Sequence, residues 1–278
     1  MNHPIVLDAC TIINLLRIDE DECLFKLIDK MSVNIAETVF NEVKINYNKK
    51  NLSKEQEKYI NQIIPAFTSK IREDNIIKKD LDSYFSQMCK FVNHIKKENG
   101  ELLSSALSLI LSRETQCRAF FITDDYYAKQ QFAPYFEYQQ VGGVYDSVDF
   151  LIFLYWNTNN FSINFLKKKL QDLYSEYQTP LKKIFDQLEE KKQLLSRKNI
   201  KQNKVQIDNI NNFLSGYHNA DIKLMINSVS FFEKNKQKYS DTYGILKDYK
   251  KNISENYLSI KIMNTLKKIK DIEIFKLN

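Results

Sequence analysis

The chain is poor in the residues that punctuate a fold, with five glycines and four prolines in 278 residues. So few turn-formers exclude a many-turned β architecture and point to helices. Cysteine is sparse as well: Cys10, Cys23, Cys89 and Cys117 stand far apart with no paired spacing. They read as reduced thiols, not as a disulfide frame or a zinc site. The three histidines, His3, His94 and His218, are equally scattered, which leaves little material for a histidine metal site or a catalytic triad. The longest apolar run, Phe150 to Trp156, falls far short of a membrane span. Asp8 breaks the first apolar stretch almost at once, so no signal peptide is expected. These absences describe a soluble, cytoplasmic protein with no membrane partner.

What is present can bury a core: 43% of the residues are hydrophobic and 13% aromatic. The net charge of +6 conceals an asymmetry. Up to Trp156 there are 18 Lys and Arg against 22 Asp and Glu, a net of −4; beyond it there are 23 against 13, a net of +10. Lysine outnumbers arginine 36 to 5 throughout, so a lysine-rich composition cannot by itself produce the split. A basic second half points to an anionic partner.

Short apolar runs and helical periods alternate through the first part. Ile5-Val6-Leu7 reads as a buried strand, and Ile12, Ile13, Leu15 and Leu16 continue it as an amphipathic helix. Val33 to Ala36 reads as a second strand, with Thr38 capping the helix that follows. A helix is expected from Ser53, where Ser53-Lys54-Glu55-Gln56 approximates a capping box. Leu102 to Leu111 is apolar nearly all round, as in a helix buried against a sheet. Ala119 to Thr123 reads as a third strand. Tyr138 to Val141 reads as a fourth, closed by Gly142-Gly143. This alternation predicts an α/β domain with a central parallel sheet over residues 1–156. Asn157-Thr158-Asn159-Asn160 reads as a linker to an all-helical region, 157–278. In that region Pro180 is expected to open a helix. Leu166, Leu170, Leu173, Tyr177, Leu181, Ile184, Leu188 and Leu195 form an apolar stripe suited to antiparallel packing.

Four acidic positions fall at or near element ends: Asp8 and Asp125 after strands, Glu42 and Glu101 in early helical turns. Each alone also reads as a helix cap or a first-turn acid favoured by the macrodipole. Together, on parallel neighbouring strands, they can converge on one sheet edge. Carboxylates so gathered repel one another unless a cation sits among them. Hard Mg²⁺ or Mn²⁺ suits such an all-oxygen set. The chemistry that uses it, phosphodiester hydrolysis, needs no side-chain nucleophile.

The stretch from Asp8 to Arg17 resembles the opening motif of PIN-domain nucleases. Glu42 in Thr38-Val39-Phe40-Asn41-Glu42-Val43, Glu101 in Asn99-Gly100-Glu101, and Asp125 in Thr123-Asp124-Asp125 match the family's later acids in order, with Asp124 an adjacent candidate. The resemblance covers about residues 4–156. It departs at Cys10, where Ser, Thr or Asn is usual, and in the long segment between Glu42 and Glu101.

The resemblance implies a PIN-like three-layer fold and an Mg²⁺- or Mn²⁺-dependent endoribonuclease that leaves a 5′-phosphate and a 3′-hydroxyl. Asp8 and Asp125, with Asp124 as the neighbouring alternative, would hold the metal. Glu101 would complete the shell, and Glu42 would ligate or position the attacking water. Many such proteins are toxins that pair with antitoxins and commonly dimerise, which implies a protein partner and a homodimer. The basic second half adds an expectation of its own: Lys167, Lys168, Lys169, Lys182 and Lys183 would hold an RNA backbone. Two other readings stand beside this one. The first is a nuclease of the same fold acting on DNA, as in a defence effector. The second is a non-catalytic PIN-like protein that pairs through its C-terminal helices.

Overall fold

Three consecutive residues with no exposed surface to speak of, Ile5 (2%), Val6 (0%) and Leu7 (0%), form β1 (Ile5–Leu7) at the centre of the sheet. In the computed structural model, residues 3–19, 23–48, 70–91, 99–198, 200–219, 221–274 and 276 are described. The expected helix at Ser53 lies outside them. After β1 come α1 (Ala9–Ile18), α2 (Leu24–Asp29), β2 (Val33–Ala36) and α3 (Glu37–Asn48). Next are β3 (Ile71–Arg72), α4 (Asp74–Asp80), α5 (Asp82–Phe91) and α6 (Gly100–Thr115). β4 (Ala119–Ile122), α7 (Tyr126–Gln139), β5 (Gly142–Tyr145) and α8 (Ser147–Asn157) follow. The fold is therefore α/β, built on a five-stranded parallel sheet ordered β3-β2-β1-β4-β5.

That order makes the chain step outward from β1 to β2 and β3, then return to the other side of β1 as β4. The reversal lies between β1 and β4, and the carboxyl ends of strands at such a switch point form the crevice where open α/β sheets hold ligands. Leu7 pairs with Ile122 at that end, so Asp8 and Thr123 emerge side by side.

Two strands depart from the sequence-based expectation. β3 was not expected; it is two residues long and pairs with Ile35 and Ala36 at the sheet margin. The fourth expected strand is displaced: Tyr138 and Gln139 finish α7, Gln140 turns left-handed at φ 55°, and the strand begins at Gly142. Gly142 adopts φ +152°, and a Cβ there would meet the Ala119 carbonyl oxygen at 1.8 Å. The glycine pair thus opens the edge strand and does not close it, because only a residue without a side chain at position 142 lets the backbone approach β4.

The chain divides into two compact units, Met1–Leu173 with Ile269–Asn278, and Tyr174–Lys268. The division falls inside α9 (Ile163–Lys198), past the Asn157–Asn160 stretch. In the first unit α14 (Ile269–Ile274) lies where Trp156 Nε1 donates to the Ile272 carbonyl over 3.1 Å. The described residues of the second unit form helices joined by turns: the rest of α9, α10 (Ile200–His218), α11 (Ile222–Lys234), α12 (Ser240–Leu246), a 3₁₀ turn (Tyr249–Asn252) and α13 (Ile253–Lys267). Every residue of the expected apolar stripe is buried. Pro180 does not open a helix. It lies within α9, whose ladder loses one proline N–H, while Thr179 Oγ1 bonds the Ser175 carbonyl over 3.1 Å in the same turn. No helix among the described residues is long and apolar enough to cross a membrane.

Candidate active site

Asp8 is both a strand end and a helix cap. It has an extended backbone (φ −89°, ψ 161°), and its Oδ1 accepts from the Ala9 amide at 2.8 Å. The other oxygen, Oδ2, accepts from the Cys10 thiol at 3.1 Å and from the Thr123 hydroxyl at 3.0 Å. Cys10 thus supplies the hydrogen bond that a hydroxyl or amide would give at that position. Its sulfur also accepts from the Asp124 amide at 3.3 Å, tying the start of α1 to the turn after β4. Burial and the charges of Asp8 and Asp124 push the Cys10 thiol well up, which keeps the proton it donates. Burial also raises Asp8, opposed by the bonds from Cys10, Ala9 and Thr123.

Asp125 reaches the same place from β4. Its Oδ1 caps α7, accepting from Tyr127 N at 2.7 Å and Ala128 N at 2.9 Å. Glu42 comes from α3. The Gly100 amide hydrogen-bonds its carboxylate, which lowers its pKa against the larger effect of burial and the next, the charge of Asp8. A Cβ on residue 100 would stand 2.9 Å from Val39 Cγ2 and 3.1 Å from Glu42 Oε2, so the close approach of α3 to α6 depends on this glycine. Glu101 follows at once. Asn99 caps α6 by accepting from Leu102 N at 3.0 Å and reaches Glu101 Oε2 with its amide at 3.4 Å.

These four acids, Asp8, Glu42, Glu101 and Asp125, line one cavity of ≈210 Å³, together with Cys10, Asn46 and Asn99. None of the residues lining it is basic. Glu101 shows the consequence: burial, then Asp8 and Asp125, then Glu42, push it up to about 8, against the Asn99 hydrogen bond. The donor set, all carboxylate and amide oxygens apart from one thiol, is of the kind a hard divalent cation takes. Among the described residues, however, no group of three His, Cys, Asp or Glu stands close enough to cage a metal ion. The acids share a cavity rather than a finished ligand shell. Mg²⁺ commonly keeps several waters and binds through one or two carboxylates, for which a shared cavity is sufficient.

Two expected site residues are placed elsewhere. Asp124 does not line the cavity. It is buried, and accepts from Asn14 Nδ2 at 2.8 Å and from the Ser147 amide at the start of α8 at 2.7 Å. Asp124 thus anchors α1 and α8 while Asp125 lines the cavity. Lys169 is not available to a phosphate either: it is fully buried, and its ammonium donates to the Ile18 carbonyl at the end of α1 over 2.6 Å. Lys168, Lys182 and Lys183 are exposed and Lys167 is half-buried.

Sequence reasoning passed over Asn14, Asn46 and Asn99. For Asn99 a signal was present, since Asn before Gly-Glu at a helix start is an N-cap pattern. Asn14 and Asn46 carry no such mark. No family model, no curated protein and no solved structure matches this chain.

Proposed function

We infer that the protein is a divalent-metal-dependent endoribonuclease of the PIN-domain type. The observation that carries this reading is the convergence of Asp8, Glu42, Glu101 and Asp125 on one cavity that holds no basic side chain. They come from four separate places in the chain, and two of them sit at the switch point of a parallel sheet. Purely structural cap residues have no reason to face one another at an electrostatic cost.

In this reading Asp8 and Asp125 hold Mg²⁺ or Mn²⁺, with Glu101 completing the set. A cation bound there would neutralise charge on the scissile phosphate and acidify a coordinated water. The chain's own residues do the positioning. Cys10 and Thr123 fix the rotation of the Asp8 carboxylate. The helix-start amides of Tyr127 and Ala128 fix Asp125. Glu42, steered by Gly100, orients the attacking water. Exposed lysines such as Lys168, Lys182 and Lys183 contact the RNA backbone without reading its sequence.

The reading is tested by metal titration followed by thermal melting. Mn²⁺ should raise the melting temperature of the wild type and leave Asp8→Asn/Asp125→Asn unmoved. Side-by-side RNA and DNA substrates identify the polymer. No metal-dependent shift and no cleavage of either substrate would favour an interaction protein that pairs through its helices.

A further inference from the structure

The second unit carries an aromatic seam that the candidate active site does not use. Phe185 of α9 packs against two rings of α10: Tyr217, with centroids 5.0 Å apart and planes tilted by 39°, and His218, 5.1 Å away at 82°. Tyr217 and His218 are 6.0 Å apart at 72°. Two of the three pairs meet edge to face, a contact that uses the edge of one ring and a single face of the other. The Tyr217 hydroxyl donates to Gln178 Oε1 over 2.6 Å, fixing the ring. Gln178, Lys182 and Phe185 are spaced i, i+4, i+7 and so share one face of α9. The seam is not sealed: Lys182 and His218 are exposed, and Phe185 and Tyr217 are partly so.

Charge indicates what would cover it. Residues 174–268 hold 18 Lys and Arg against 10 Asp and Glu, a net of +8. Asp186, exposed on the same helix, opposes an anion locally. Its charge adds to burial and Tyr174 in raising the Tyr217 phenol. Lys182 and Lys183, both exposed, stand within one turn of that carboxylate on the same helix. Aromatic rings beside a lysine on a strongly basic unit are the combination that binds single-stranded nucleic acid, with bases on the rings and phosphates on the cations.

We propose that the Phe185–Tyr217–His218 seam is a base-stacking platform for single-stranded RNA, with Lys182 on the same helix face holding the backbone. The choice of RNA rests on the ribonuclease reading; the stacking does not. The platform would hold the strand by its bases without demanding a sequence, because every base offers a planar face.

The test uses the full chain carrying Asp8→Asn/Asp125→Asn, so that binding is read without cleavage, and a short fluorescent oligouridylate followed by anisotropy. His218→Ala and Tyr217→Leu should each weaken binding roughly 5- to 150-fold, the range expected for one stacked base. Tyr217→Phe should keep the affinity. Lys182→Ala should reduce the slope of log affinity against log salt by about 0.7. Unchanged affinity in His218→Ala, whose exposed side chain can be removed without unfolding the chain, would overturn the proposal. So would an oligouridylate that does not bind, or variants that dissociate a dimer yet bind RNA as before, which would make the seam a contact between copies. Failure of the nuclease reading looks different: the seam variants weaken binding while the wild-type chain cuts nothing in Mg²⁺ or Mn²⁺.

Discussion

The Cys10 thiol donates to Oδ2 of Asp8 over 3.1 Å, from a sulfur that also accepts the Asp124 amide. Cys10 therefore shares with Thr123 the task of setting the rotation of the first carboxylate, and links it to the turn that carries Asp125. Outer-shell partners of this kind typically influence metal affinity 10- to 100-fold. Cys10→Ala should lower Mn²⁺ affinity by roughly that factor, and Cys10→Ser should restore most of it. Calorimetric titration of the three proteins checks this.

Gly100 makes a separate prediction. Gly100→Ala would drive a methyl group against Val39 and the Glu42 carboxylate, at 2.9 and 3.1 Å. Overpacking of this sort costs roughly 1–3 kcal/mol. Denaturant unfolding should show that loss. Cleavage should fall further than stability does, because the displaced group is Glu42.

The raised Glu101 has a signed pH consequence. Its ordinary value is 4.5 and its folded value about 8, so the unfolded chain releases this proton first as pH rises. Without metal the folded state then binds more protons, and stability falls from about pH 4.5 up to about 8 before levelling. Glu101→Gln should flatten that part of the melting-temperature profile. Metal binding should expel the proton, so affinity for Mn²⁺ should rise with pH over the same range.

Asp124 and Asp125 are neighbours with opposite roles. Asp124→Ala leaves the Ser147 amide and the Asn14 side chain without their acceptor, at about 1–3 kcal/mol for each buried donor. It should lower the melting temperature while the metal response survives. Asp125→Asn keeps an acceptor for Tyr127 and Ala128, so it should melt near the wild type and lose the response. Melting curves of both variants, with and without Mn²⁺, separate the two positions.

Much of this site was legible because its acids stand where two local signals meet. Asp8 ends an apolar run and begins a helical period, and Asp125 does the same after Ala119 to Thr123. Glu42 and Glu101 lie in early turns of well-marked helices. The rest was hidden for physical reasons. β3 is two residues long, too short to show any period, and exists because β2 offers it a margin. β5 escaped because Tyr138 and Val141 are strand-favouring and a glycine pair reads as a turn, while the strand forms where Gly142 can meet β4. Which of Lys167, Lys168 and Lys169 is buried depends on helical phase. Lys169 stands three residues after Leu166 and four before Leu173, on the buried stripe, and that spacing was readable. The choice between Asp124 and Asp125 needed the Ser147 amide, 23 positions away from Asp124 in the chain.

A four-carboxylate cavity that cuts RNA with the help of a divalent metal has a direct signature in the products and in their metal dependence. The most direct measurement is cleavage of a mixed RNA pool by the wild type and by Asp8→Asn, each with Mg²⁺, with Mn²⁺ and with chelator. Cleavage by the wild type only when metal is present, yielding 5′-phosphate ends and lost in Asp8→Asn, is the expected result. Cleavage that persists in chelator, or equal cleavage by Asp8→Asn, would contradict it.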